Sequence, residues 1–337
     1  MATELCCDTK NGSSILWYYY NFISRARRGN RGHRDNIRHT KKLVFISHAP
    51  TGVYIAKSPW KEDRPCLPPN YAICQKKTTN LLNKLRHTLE LLKLYDNIKQ
   101  EQEKHGFIER VNDHSTNNVH YLPHRPMKRD STTTPIRIVY NCSCQEHANS
   151  PSLNGCLMVG TSFLNNLCAI LLRFRDCNFA LSTDIEKAFL HVQLHSDNRN
   201  FTRFLLPTLP DRADSKLQAY HFAVVPFGSC SSPFMLAAVL NLHLYKTPSP
   251  IADDMKENIY IDNILSGCDT EEASSPQTTC CQREDRDPNT TVGILGLHWN
   301  TATDSLSLSP KKLSTNTTSL TKRDVLQTSS QIYDPLG

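Results

Sequence analysis

The sequence predicts an α+β chain with a mainly antiparallel sheet backed by helices, and its chemistry at strand ends. Stripes of helical period between 78 and 105 and between 162 and 174 supply the helices. Two apolar, strand-like runs that end in acids, Asp184 and Asp262, 78 residues apart, supply the sheet. In the first, Phe179 to Thr183 lead into Asp184, and Lys187-Ala188-Phe189 are set to begin a turn or helix. In the second, Ile259-Tyr260-Ile261 and Ile264-Leu265 flank Asp262-Asn263, a pair suited to a hairpin tip. Two carboxylates at adjacent strand ends make an oxygen-ligand set for Mg²⁺, of the kind that clamps both oxygens of a phosphoryl transfer.

Along the chain, residues 1–50 read as a basic leader, disordered and unrelated to the rest of the sequence. They hold Trp17-Tyr-Tyr-Tyr20 and then eight Lys or Arg against one acid, Asp35, between Arg25 and Lys42. Aromatics beside cations can grip a single strand, while a solubilising tail is the plainer reading. Lys57 to Tyr71 contains four prolines and is expected to be extended. A helix is predicted from Thr78 to His105, with Leu81, Leu82, Leu85, Leu89, Leu92, Tyr95 and Ile98 on one stripe and Gly106 at its end. That stripe is core packing. Phe107–Val111 reads as a short strand, and Tyr121–Arg129 with Ile136–Tyr140 as a strand pair across a polar turn. A helix over Ser162–Phe174 precedes the first acid-terminated strand, and Ser232-Pro233 opens another through about Leu244. No internal repeat is present.

Composition narrows the class. A chain of 337 residues can hold one large domain or two ordinary ones. Hydrophobic content of 39% and a mean hydropathy of −0.47 suggest that part of it packs poorly. The net charge of +7 suits a polyanionic partner such as nucleic acid. Thirteen cysteines, an odd number without zinc-site spacing, imply a reducing compartment, cytosol or nucleus, with Cys168 and Cys230 expected as buried small hydrophobes. No apolar run approaches the roughly 20 residues of a membrane span, and no secretion signal is visible, so no membrane partner is expected.

Four motifs carry a resemblance. Asp184-Ile185-Glu186-Lys187-Ala188-Phe189 resembles the first palm motif of reverse transcriptases, and Tyr260-Ile261-Asp262-Asn263 the Tyr-x-Asp-Asp hairpin. Val225-Pro226-Phe227-Gly228 through Pro233 resembles the loop and helix behind the templating base, and Pro135 to Tyr140 the fingers strand. Downstream, Gly293–Asn300 and Thr321–Gly337 are similar to Pol polyproteins of the BEL/Pao class of LTR retrotransposons.

The resemblance implies a polymerase right hand of fingers and palm, with thumb, connection and ribonuclease H regions largely absent. It divides the chain into an extension and fingers (53–150), a palm (151–271), a shortened polar segment (272–288) and a primer-grip hairpin with the start of a connection (289–337). It implies RNA-directed DNA polymerase activity on an RNA or DNA template-primer, with deoxynucleoside triphosphates as substrates. Asp184 and Asp262 would be catalytic and would hold two Mg²⁺ or Mn²⁺ ions, with Asn263 a weaker ligand. Arg137, Ile185, Phe189, Phe227 and Gly228 would bind the nucleotide, Phe189 as the aromatic that blocks a ribose 2′-hydroxyl. Leu295, Gly296, Leu297, His298 and Trp299 would grip the primer. A salt-bridged surface position for Arg137 and plain core packing for Phe189 are the competing readings.

Three departures stand beside it. Asn263 replaces the second hairpin Asp and brings an oxygen without charge. Residues 272–288 are fewer and more polar than the family's helix and strand, as after an internal deletion or a gene-model error. The sequence ends at Asp334-Pro-Leu-Gly337, and no aspartic-protease triplet is present, so it is expected to be a fragment. An inactive nucleic-acid-binding remnant and a decayed, poorly folded product are the alternatives to an enzyme.

Overall fold

The computed structural model describes residues 6–8, 15–17, 45–49, 52–112, 118–128, 136–160, 163–177, 179–212, 214–268, 291–295, 297–300 and 305–307. The basic run from Arg25 to Lys42, the segment 272–288 and the motif from Thr321 to Gly337 lie outside them. Helices and small antiparallel sheets alternate along the chain, which divides into two compact units, Met1–Phe163 with Lys187–Leu240 and Leu164–Glu186 with Asn241–Gly337. No helix among the described residues is long and apolar enough to cross a membrane.

In the first unit, two helices and two sheets enclose an aromatic core. The predicted 78–105 helix is two helices, Tyr71–Arg86 and Leu89–Lys104. They are broken at Thr88, whose backbone leaves the helical region at φ −136° and ψ 81°. The break follows from tertiary contacts that no local signal carries. Arg86 Nε donates to the Pro210 carbonyl at 3.2 Å and its Nη2 to the Arg212 carbonyl at 2.5 Å, pinning the end of the first helix. Leu89 then falls on solvent at 63% exposure, while Leu85, Leu92 and Tyr95 are buried. They pack against Ile108, Ile138, Tyr140, Phe204 and Phe222.

The strand pair expected upstream of the acids is present as His124–Lys128 against Ile136–Tyr140, antiparallel, with Met127 opposite Arg137. A second sheet pairs Phe204–Pro207 with Leu217–Phe222 and that strand with Ile108–Arg110. A third joins Cys6–Asp8, Ile15–Trp17, Phe45–His48 and Tyr54–Ala56, with Val192–Leu194 parallel to the last.

The second unit is built on the strand Phe179–Asp184, paired antiparallel with Asn263–Cys268, which pairs in turn with Ile259–Tyr260. The helix Leu167–Asp176 packs here through Ile170 and Phe174, against Leu265 and Ile294. It starts five residues later than its apolar stripe suggests, because the Asn166 side chain caps it, accepting from Ala169 N at 3.0 Å. Cys168, expected in the core, is exposed: with Leu167, Ile170 and Phe174 on the buried face, position 168 points away from it. Cys230 is half-buried. The helix Pro250–Asn258 follows the Ser232–Lys246 helix and carries its proline in its first turn, with Ser249 as cap.

Candidate active site

Strand register brings Asp184, Ile185, Asp262 and Asn263 together in the second unit. Asp184, the last residue of its strand, lies directly across from Asn263. Ile185 N donates to the Asp262 carbonyl at 2.8 Å, which ties the two chain segments beyond the ladder. Tyr260 pairs with Asn263, so the two-residue tip is Ile261-Asp262, one position earlier than expected from the Asp-Asn pair. Asn263 begins the returning strand instead. Ile261 takes φ 62°, a left-handed conformation that a two-residue hairpin of this kind normally gives to glycine and that a β-branched residue rarely adopts.

The charges of this corner are crowded. The Asp184 carboxyl is raised from the ordinary value of 3.8, first by partial desolvation, then by the negative charges of Asp262 and Glu186. Asn263 Nδ2 donates to Asp262 Oδ1 at 2.9 Å, which turns the amide nitrogen toward that carboxylate and leaves the amide oxygen as an acceptor. No three His, Cys, Asp or Glu side chains are gathered for a metal ion among the described residues. The donor set is therefore two carboxylates and one amide oxygen. It fits Mg²⁺, which is commonly held by one or two carboxylates with water and substrate phosphate completing its shell. Repulsion at Asp184 is the kind of charge imbalance that a bound cation relieves.

Several residues that hold this corner gave no motif in the sequence. Asn165 Nδ2 donates to the carbonyls of Lys256 and Ile259, at 2.7 and 3.0 Å, just before the hairpin. Buried Asn258 donates to Asp254 Oδ1 at 2.7 Å, and Ser266 Oγ donates to Asp254 Oδ2 at 2.6 Å. Arg173 Nε closes the network on Asn258 Oδ1 at 2.8 Å, linking two helices to the strand that follows Asn263. Their only sequence signal is polarity, at positions that run from buried (Asn258, Ser266) through half-buried (Asn165, Asp254) to exposed (Arg173).

In the first unit, Arg137, Phe189, Phe227 and Gly228 form a second group. Arg137 is exposed in the middle of its strand, has no carboxylate partner among the described residues, and sets its guanidinium 5.9 Å from the Phe227 ring centroid. Phe227 packs at 4.9 Å on Phe189, which is buried on a 3₁₀ turn over Ala188–His191. Gly228 has φ 99°, and a Cβ there would meet the Tyr140 carbonyl oxygen at 2.7 Å. Asn154 Nδ2 donates to its carbonyl at 3.2 Å. Gly228→Ala combines a left-handed backbone with a backbone clash, and should lower stability by about 2–4 kcal/mol. Urea denaturation of the variant beside wild type checks this, and equal midpoints would contradict it.

Leu297, His298 and Trp299 belong to an antiparallel pair, Thr291–Ile294 with Leu297–Asn300, in the second unit, and Leu295 lies in the turn after its first strand. Leu297 is buried, Leu295 and Trp299 pack on the Ile170–Phe174 cluster with Trp299 edge-on to Phe174 at 5.0 Å, and His298 is half-buried. Gly296 lies outside the described residues.

Residues 137–287 match the model of the reverse transcriptase (RNA-dependent DNA polymerase) family. The match begins at Arg137 and takes in Asp184, Phe189, Phe227, Gly228, Asp262 and Asn263. No curated protein matches the chain.

Proposed function

We propose that this chain is the polymerase portion of a retrotransposon Pol protein of the BEL/Pao class, and that it extends a primer on an RNA or DNA template. The observation that carries the reading is the register of the strand pair, Asp184 against Asn263 with Asp262 beside it at the hairpin tip. Two acids at one end of a strand pair, Asp184 on a strand and Asp262 on the hairpin tip, are what a nucleotidyl transfer needs at its centre, since that chemistry is mostly positioning and charge neutralisation.

Asp184 and Asp262 would hold Mg²⁺ or Mn²⁺, two ions in the full mechanism, with Asn263 as an uncharged third donor. Bound there, the metal supplies an activated primer hydroxyl and neutralises phosphate charge. The chain's own residues do the rest. The Ile185–Asp262 backbone hydrogen bond fixes the spacing of the two acidic segments, and Ile185 offers its backbone beside the nucleotide. Arg137 supplies positive charge for a triphosphate. Phe189, buried under Phe227, is held against movement and would exclude a 2′-hydroxyl, selecting deoxynucleotides. Gly228 keeps side-chain bulk away from the base pair being formed. The strand pair with Leu297, His298 and Trp299, and Leu295 in its turn, would support the primer strand. In this reading residues 53–150 serve as fingers and 151–271 as palm.

The test is primer extension by the purified chain on an RNA template with Mg²⁺ or Mn²⁺, with Asp184→Ala as control. Extension that vanishes in the control supports the proposal. Folded protein that binds primer-template and extends nothing overturns it.

A further inference from the structure

Asp184 and Asp262 do not stand on equally secure backbone. Asp184 closes a strand held by six consecutive pairings, from Phe179 with Cys268 to Asp184 with Asn263. Asp262 lies at the tip of a hairpin whose outer strand, Ile259–Tyr260, makes two, Ile259 with Ile264 and Tyr260 with Asn263. That strand is an edge of its sheet, and the tip beyond it carries the left-handed Ile261. A ribbon of two pairings has little stiffness of its own. The aim of Asp262 therefore depends on what grips the outer strand from outside.

The grip comes from the helix that leads into the Asp184 strand. Asn165, just before the Leu167–Asp176 helix, donates from Nδ2 to the Lys256 carbonyl at 2.7 Å and the Ile259 carbonyl at 3.0 Å. Arg173, in the last turn of that helix, donates from Nη2 to the Glu257 carbonyl and from Nε to Asn258 Oδ1 at 2.8 Å. Lys256 and Glu257 end the Pro250–Asn258 helix, where carbonyls lack intrahelical partners and the helix dipole favours a cation. Ile259 is the first residue of the outer strand. Side chains near both ends of one helix thus hold the junction through which the chain enters the hairpin. The element after that helix is the strand Phe179–Asp184. One helix reaches both acids, Asp184 through the backbone that follows it and Asp262 through two side chains.

We propose that Asn165 and Arg173 are positioning residues, which fix Asp262 against Asp184 so that both carboxylates meet the same divalent cation. Neither touches the reacting atoms. The inference rests on the reading of Asp184 and Asp262 as the acids of nucleotidyl transfer, and hydrogen exchange judges it apart from that reading.

Amide exchange by NMR and primer extension are measured on the full chain, as wild type, Asn165→Ala, Arg173→Gln and Arg173→Lys. In the Ala and Gln variants the Ile185 amide, bonded to the Asp262 carbonyl, should exchange at least about tenfold faster. The Leu181 amide, on a residue paired with Ser266 farther along the ladder, should keep its wild-type rate. Arg173→Lys keeps the charge but not the two-pronged donor, and should fall between. In primer extension kcat should drop about ten- to hundredfold and the Mg²⁺ requirement should rise, with KM for deoxynucleotide and for primer-template unchanged. Unchanged exchange at Ile185 overturns the proposal, as does faster exchange with unchanged kcat and Mg²⁺ requirement. Exchange that speeds equally along the whole ladder shows a general loss of stability and overturns it too. Variants that exchange faster only at the tip, in a chain whose wild type extends no primer, sink the polymerase reading and uphold the hold on Asp262.

Discussion

Replacing Asp184 by Ala is expected to lower primer extension by roughly 10³-fold or more, because a group acting with its partners as one unit takes most of the rate with it. The fold should survive. Asp184 is exposed at the end of its strand, and its ladder position depends on backbone pairing. Its raised carboxyl, caused first by desolvation and then by Asp262 and Glu186, gives a second readout. A carboxyl whose folded value lies above its unfolded one stabilises most below the unfolded range. That stability is lost as pH rises through the folded value, so at neutral pH the ionised group opposes folding. Asp184→Asn should therefore be at least as heat-stable as wild type without metal. Added Mg²⁺ should raise the melting temperature of wild type, by binding the folded state alone, and leave the variant unmoved. Equal Mg²⁺ responses would show that the acids are not a cation site.

Acid should unfold the first unit by way of His124. This side chain is 5% exposed, bonded through Nε2 to the Tyr95 hydroxyl, and surrounded by the rings of Tyr95, Tyr140 and Phe204. Its Nδ1 is buried without a hydrogen-bond partner among the described residues. Burial alone pushes its pKa down from 6.5 to about 4. The unfolded chain takes up a proton near 6.5 and the folded chain only near 4, so stability falls as pH drops across that window. The total is about 3 kcal/mol, with no further loss from this residue below about pH 4. Denaturant midpoints for wild type and His124→Gln, taken at intervals from neutral pH down through that window, check the effect. The variant's pH profile should be flatter by that amount whatever its absolute stability, and parallel profiles would contradict the assignment. His120 and His221 are also lowered, chiefly by burial, and leave a residual slope of the same sign in both proteins.

What the sequence revealed of this site was its acids and their strands. Asp184 and Asp262 each close an apolar run, and that local pattern is enough to foresee a strand end at Asp184 and a hairpin at Asp262. The one-residue error at the tip has a physical cause. Asp-Asn is the better turn pair by propensity, but pairing of Tyr260 with Asn263 and of Asn263 with Asp184 takes Asn263 into the ladder. The single long helix is wrong for a similar reason. Nothing in Arg86-His87-Thr88-Leu89 announces a break, which depends on the carbonyls of Pro210 and Arg212, far along the chain. Cys168 has apolar neighbours in sequence, yet helical phase decides its exposure. The network of Arg173, Asp254, Asn258 and Ser266 was illegible because its members come from separate elements and only the fold assembles them.

The left-handed Ile261 has a consequence for how this protein can change. A bulky β-branched residue there costs on the order of 1–3 kcal/mol that glycine would recover. Yet glycine would also give the neighbouring Asp262 a wider range of orientations. Position 261 thus sets thermal robustness against aim, and Ile261→Gly should melt later while extending primers more slowly.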